Sequence, residues 1–255
     1  MAIAIDLVIV VVGVFIGIQV ANWNDDRATA RKAGVFTDRL RAHLAGEAWG
    51  YEMQVGYYTD VMVNAEKAAD ALEGNLALAD EALLVAAYRV TQYNGNIRRR
   101  ATYDELTSTG EIGLIGDPAL RQLAMDVYSS DMFDIMVEEG IHSRYREAFR
   151  MTLPHGVQRA VSGACGDKVV APGDFKGVEN SLDYPCSTGL SPEVLAGSVA
   201  RLRANPQLLP LLRLRLLDVQ TSLFNLTVYY RDMRESLAQM ARAKQPPRRD
   251  QAREQ

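Results

Sequence analysis

Apolar and polar positions along this 255-residue chain fall into distinct regimes. Ala2 to Val20 is almost wholly apolar and runs straight into the polar edge Ala21-Asn22-Trp23-Asn24-Asp25-Asp26. At about 1.5 Å per residue that stretch makes a helix of roughly 28 Å, close to the ~30 Å hydrocarbon thickness of a bilayer, so it predicts a single transmembrane anchor over 1–23. The next most apolar window, Leu208 to Leu217, is broken by Pro210, Arg213 and Arg215. From Tyr51 onward, Tyr51, Val55, Tyr58, Met62, Ala65, Ala69 and Leu72 alternate steps of four and three, the spacing of a helix seam. Phe36, Leu40 and Leu44 prolong the stripe upstream, with Gly46 and Gly50 marking a kink or a close helix contact. A second seam runs through Leu212, Leu216, Val219, Leu223, Leu226, Tyr230, Met233, Leu237 and Met240, opened by Asn205 as N-cap and Pro206 in the first turn.

Between the seams the pattern predicts a helix over 77–93, a turn at Asn94-Gly95-Asn96, and a short helix opened by a capping box at Thr102 and Glu105 and closed by Gly110. Asp117 with Pro118 then caps a helix that the apolar positions carry to about Met151, before Pro154 interrupts it. Residues 163–189 read as a loop, and Ser191-Pro192 opens another short helix. The fold class is therefore all-α: an N-terminal transmembrane helix continuing into an antiparallel bundle of long helices over 24–245, with a disordered tail at 246–255. The two seams pack most simply against each other; pairing between chains is the rival arrangement.

The anchor's exit lacks the Ala-x-Ala-like pattern of a cleaved signal peptide, and Trp23 suits a headgroup boundary. Its orientation is contested. Arg27, Arg31, Lys32, Arg39 and Arg41 follow it, which by the positive-inside rule places the body in the cytoplasm. Against this stand Asp25, Asp26 and Asp38, and a lone cysteine pair, Cys165 and Cys186, across a Gly- and Pro-rich loop. A disulfide staple there is easiest to explain in an oxidising compartment.

The anchor, ending Ile18-Gln19-Val20-Ala21-Asn22-Trp23-Asn24, resembles that of an uncharacterised bacterial membrane-protein family whose anchors close on Leu-Gln-x-Asn-Asn-Trp-Asn. Thr102 to Gly110 and Leu114 to Arg121 are similar to that family's Phe-x-Glu-Leu-x-x-Ser-Gly and Asp-Pro-x-Leu-Arg stretches. Together these cover roughly a quarter of the chain. Members carry a basic segment ahead of the anchor, which implies an outside body; here no Lys or Arg precedes it, so either the natural start lies upstream or the orientation differs. The favoured location is the bacterial inner membrane with a periplasmic body. The resemblance implies no activity.

Within the anchor, Asp6 is an interfacial acid or a carboxylate paired to a partner. Gly13 and Gly17 share a face that admits a second helix, and Gln19 can add an interhelical hydrogen bond. In the body, His155 with Cys165 and Cys186 has no short-spaced ligand pair for zinc. The common hydrolase, nucleotide-binding and metalloprotease signatures are absent from the sequence. Arg98-Arg99-Arg100 is an isolated basic cluster in a chain of net charge −4 and pI near 5.5, which argues against nucleic acid and for an exposed contact with headgroups or an acidic partner. Thr107, Ser108, Thr109, Gly110 and Asp117 gather hydroxyls and helix ends into a possible ligand or partner region. No cofactor is expected. The function expected is a membrane-anchored interaction or sensory module rather than an enzyme, with a membrane-protein partner or a second copy as its associate; the alternative is an accessory subunit docking through its transmembrane helix.

Overall fold

A computed structural model describes the backbone of residues 2–95 and 98–243 and the side chains of residues 12–95, 98–179 and 181–242. The described residues are all-α, without a strand. Among them ten α-helices follow in order: α1 Ala2–Glu73, α2 Asp80–Arg89, α3 Ala101–Ser108, α4 Pro118–Ser129, α5 Met132–Ile141, α6 Arg144–Thr152, α7 His155–Cys165, α8 Pro192–Ala204, α9 Leu208–Phe224 and α10 Arg231–Ala243. They form two compact units, and α1 contributes to both.

Among the described residues, no helix is long and apolar enough to cross a membrane. The first half of the apolar run, Asp6 included, lies outside the described side chains; its second half is exposed, from Val12 at 48% to Phe15 at 61%. A transmembrane helix is thus left as a reading of the sequence alone.

The smaller unit comprises Met1–Leu44 and Arg99–Tyr128. Ion pairs from Lys32 to Glu111, Arg39 to Glu105 at 3.1 Å and Arg41 to Asp117 at 3.8 Å tie α1 to α3 and the start of α4. The α3 helix ends as its glycine requires. Gly110 sits at φ +71°, where a side chain would strain, and the Glu111 N–H turns back to the Leu106 carbonyl at 2.8 Å. The expected capping box does not form: Thr102 lies inside α3, fully buried, and Arg100 stands at the cap position, where its side chain makes no capping bond. Asp117 does cap α4, its Oδ1 accepting from the N–H groups of Ala119 and Leu120 at 3.0 and 3.2 Å.

The larger unit comprises Ala45–Arg98 and Ser129–Gln255. Gly46 and Gly50 do not interrupt α1, which stays helical through to Glu73 because its flanks there are packed. The seam expected on α1 widens into near-complete enclosure. Tyr57, Val61, Ala68 and Ala71 are as buried as Tyr51 and Ala65. Small side chains at 65, 68, 69 and 71 let Leu83, Leu84, Val199, Leu202 and Leu212 close around the helix in one apolar core. The second seam runs antiparallel to α1, a direction fixed by three contacts: Arg234 grips Glu52, the Tyr51 hydroxyl donates to the Leu226 carbonyl at 2.7 Å, and Arg213 holds Glu73 at 2.8 Å. That seam is not one helix. A π-turn, Asn225–Tyr229, separates α9 from α10. Asn205 caps the turn ahead of α9 through Gln207 N–H rather than the helix itself.

The single helix expected from Asp117 to Met151 is instead α4, α5 and α6. The break before α6 has a local cause, since the Ser143 hydroxyl oxygen accepts from Arg146 N–H and restarts the helix. Gly140, in α5, lies so close to Tyr93 that an added Cβ would clash with the Tyr93 Cβ. Residues 244–255, which hold the expected disordered tail, and Asn96 of the expected turn lie outside the described residues.

Gly140→Ala is therefore expected to destabilise the protein by about 1–3 kcal/mol through overpacking at a backbone-fixed Cβ, read as a lower urea midpoint at unchanged slope. Gly163→Ala, in open space on α7, is the control and leaves the midpoint unchanged or raises it.

Candidate functional site

A groove of about 900 Å³ is walled by three different parts of the larger unit. One wall is α1, through Ala48, Glu52, Val55 and Gly56; the second is the loop after α7, through Phe175, Val178 and Glu179; the third is the C-terminal segment, through Arg231, Arg234, Ala238 and Ala241. Alanines and Gly56 keep the floor low. A Cβ on Gly56 would meet Val178 Cγ1 at 2.5 Å, so glycine is what lets the loop approach α1.

The loop wall is held by several independent ties. Cys165 and Cys186 form the expected disulfide, with Cα atoms 5.5 Å apart. Arg89, only 5% exposed, donates to Asp183 Oδ1 at 2.7 Å and to the Tyr184 carbonyl at 2.6 Å, and its guanidinium stands 3.7 Å from Cys186 Sγ. The Tyr184 hydroxyl donates to the Gly166 carbonyl at 2.6 Å, and Lys168 N–H donates to the Ser181 carbonyl, closing the loop's two strands of chain on each other. Glu81 Oε1 receives the Thr188 N–H and hydroxyl, both at 2.7 Å, and these bonds, the hydroxyl first, hold its pKa below the usual range. At the far end the Trp49 indole N–H donates to the Asp174 carbonyl. Sequence reasoning found the staple but not the buried arginine beside it.

Asp60 completes this clamp by accepting the Asp183 N–H at 3.1 Å. Burial pushes its pKa up, and the neighbouring Asp183 carboxylate adds to the rise, against the lowering by that N–H and by Arg89. Burial likewise raises the pKa of Asp167, which accepts a 2.8 Å hydrogen bond from the Tyr57 hydroxyl. The chemistry of the groove itself is that of recognition. Glu52 and Arg234 form a bidentate pair at 2.8 and 2.6 Å, which raises the Arg234 pKa and fixes both side chains. Around them Arg231, Arg242, Glu179 and Glu235 set charges of both signs at the rim over an apolar floor. Nothing in the sequence pattern singled out these residues; only α10's amphipathic spacing pointed toward the third wall.

The residues singled out from the sequence are placed elsewhere. In the α3 region the hydroxyls face their own helix: Thr107 donates to Tyr103 O, Ser108 and Thr109 to Glu105 O. Gly110 forms the helix end, and Asp117 is engaged as a cap and by Arg41. Gly13 and Gly17 face open space, where a side chain would meet nothing within 4 Å. Gln19 is exposed, and Trp23, 55% exposed, carries the Arg27 guanidinium 4.1 Å from its ring. Arg98 departs from the expected exposed cluster: it is buried against Glu47 at 3.1 Å, donates to Ser130 O and lies over the Phe133 ring. Arg100 is paired within α3 to Asp104. Among the described residues no group of three or more His, Cys, Asp or Glu side chains is placed to hold a metal ion.

Replacing the cysteines together, Cys165→Ala with Cys186→Ala, is expected to cost about 3 kcal/mol and to admit limited proteolysis between 167 and 180, while the helical circular dichroism is retained. Because the folded pKa of Asp60 is raised, its favourable contribution is complete below about pH 4 and is lost as pH rises through the folded value. Asp60→Asn keeps the acceptor for Asp183 N–H. It is expected to melt higher than the wild type near neutral pH, with the difference closing on acidification. Comparison of the chain with protein-family models, with curated proteins and with solved structures finds no match.

Proposed function

We propose that this protein is a membrane-anchored helical interaction module whose groove receives an amphipathic segment of a partner. The observation that carries the reading is the groove's construction: an apolar floor with paired charges at its rim, and one wall that is a covalently stapled loop. An amphipathic helix satisfies such a surface by laying its apolar side on the alanine floor and its charged edges on the rim. The groove's bidentate Glu52–Arg234 pair is a fixed, mutually neutralised ion pair, which suits recognition.

The anchoring part of the proposal rests on the apolar run Ala2 to Val20, on Trp23 at its polar edge and on the resemblance of the 18–24 and 102–121 segments to an uncharacterised bacterial membrane-protein family. The disulfide supports an oxidising, periplasmic setting for the body. On this reading α1 carries both the anchor and the Glu52 wall, so partner binding at the groove is relayed along one helix. Accessory docking through Gly13 and Gly17 is the competing mode.

The intact chain is expected to stay in the membrane pellet after an alkaline carbonate wash, and a chain lacking 2–20 to leave it. In affinity purification from detergent extracts, Ala238→Trp fills the groove and is expected to abolish recovery of the partner, while Gly13→Leu leaves it intact. The opposite pattern would move the function to the anchor, and partner recovery unchanged in both variants would sink the groove reading.

A further inference from the structure

The α9 helix carries a second seam that the bundle does not use. Its inward face is held by Leu212, Arg215, Val219, Ser222 and Leu223. On the outward face Leu214 is 47% exposed and Leu217 and Phe224 58%, with the exposed Thr221 completing a three-four-three spacing. Single exposed apolar residues are ordinary, but a stripe aligned over about 15 Å of one helix is the pattern of an interface. We propose that this stripe is the contact between two copies of this chain, with α9 packed parallel to α9 of the second copy about a twofold axis.

The flanking charges choose the occupant and the direction. With Leu214 and Leu217 at the two core positions of the heptad, Arg213 and Asp218 fall at the positions bordering the seam on either side. In a parallel pair the first of these borders the second on the other helix, five residues on, so each Arg213 meets Asp218 of the other copy and both pairs form at once. In an antiparallel pair like positions face each other and neither charge meets its opposite. Both residues are exposed, and Arg213 engages Glu73 through Nε and one amino group. Thr221 suits the core of the seam, since its hydroxyl already donates to the Leu217 carbonyl at 2.9 Å and leaves the methyl to pack. The stripe stops where the helix does, at the π-turn and the charged Arg231 and Asp232. A contact of this length is at the small end of protein interfaces, so the pairing is weak and concentration-dependent in solution.

Sedimentation velocity of the intact, detergent-solubilised protein across a concentration series is expected to show a monomer–dimer equilibrium. Leu217→Glu with Phe224→Glu weakens it by about 100-fold without lowering the melting temperature, because both side chains are exposed. Asp218→Arg weakens it by about tenfold, and adding Arg213→Asp restores it to within about threefold of the wild type. Thr221→Cys forms a cross-linked dimer under mild oxidation and Ser236→Cys, exposed on α10, does not. A wild-type monomer at every concentration overturns the proposal. So does a dimer indifferent to the Leu217 and Phe224 changes, which places the contact elsewhere, and so does a charge exchange that fails to restore pairing.

Discussion

The larger unit is organised by the enclosure of the last third of α1. From Ala45 to Leu72 only Thr59, Glu66, Lys67 and Asp70 are exposed, so a single narrow stripe meets solvent. A helix wrapped this far carries polar groups on its inner faces, and each one left unpartnered costs about 1–3 kcal/mol. The tyrosines do this by reaching across the unit: Tyr51 to Leu226 O, Tyr58 to Met136 O and Tyr57 to Asp167. Glu47 takes Arg98, with both side chains under a tenth exposed, and Gln54 donates to Asn94 O. The bonds to Asp167, Arg98 and Asn94 hold connecting segments and the one to Met136 holds α5, so α1 positions elements that follow it in sequence.

Enclosure also explains the groove. At Ala48 and Gly56 the small residues of α1 leave a shallow apolar floor between the helix and the C-terminal segment. The loop wall has little core of its own. Its position depends on the disulfide, which ties Cys186 back to the end of α7, and on the buried Arg89 and on Glu81, which anchor 183–188 to α2. Phe175 and Val178 face the groove with local support as well, from the Trp49 bond to the Asp174 carbonyl and from the close approach of Val178 to Gly56. A covalent link restricting the unfolded chain and charge-assisted bonds formed only in the folded one act on the same segment.

Several chemically suggestive residues prove to be structural. Thr107, Ser108 and Thr109 spend their hydroxyls on the carbonyls of α3, the usual fate of short hydroxylated side chains near a helix end. Arg98 reads as part of an exposed basic run, yet its charge is buried because Glu47, fifty-one residues earlier, is presented to it by α1. Sequence proximity to Arg99 and Arg100 carries no information about that partner. The groove's own Glu52 and Arg234 are 182 positions apart and were equally invisible.

What the sequence determined by itself was whatever depends on neighbours along the chain. The helical class, the two seams, the Gly110 stop and the Asp117-Pro118 start all follow from spacing and from backbone preferences a few residues long. The cysteine pair was legible because only two exist. The tertiary structure decided where periodicity was overruled: α4, α5 and α6 break a run of continuous apolar spacing, Gly46 and Gly50 fail to break α1, and a π-turn divides the last seam. At Gly46 and Gly50 packing outweighs a local preference of about 1 kcal/mol, whereas the restart at α6 follows the Ser143 cap, which the apolar spacing had hidden. The groove belongs to the same category, since it exists only once three segments remote in sequence meet, and the free outward face of α9 is known only after its inward face has been filled.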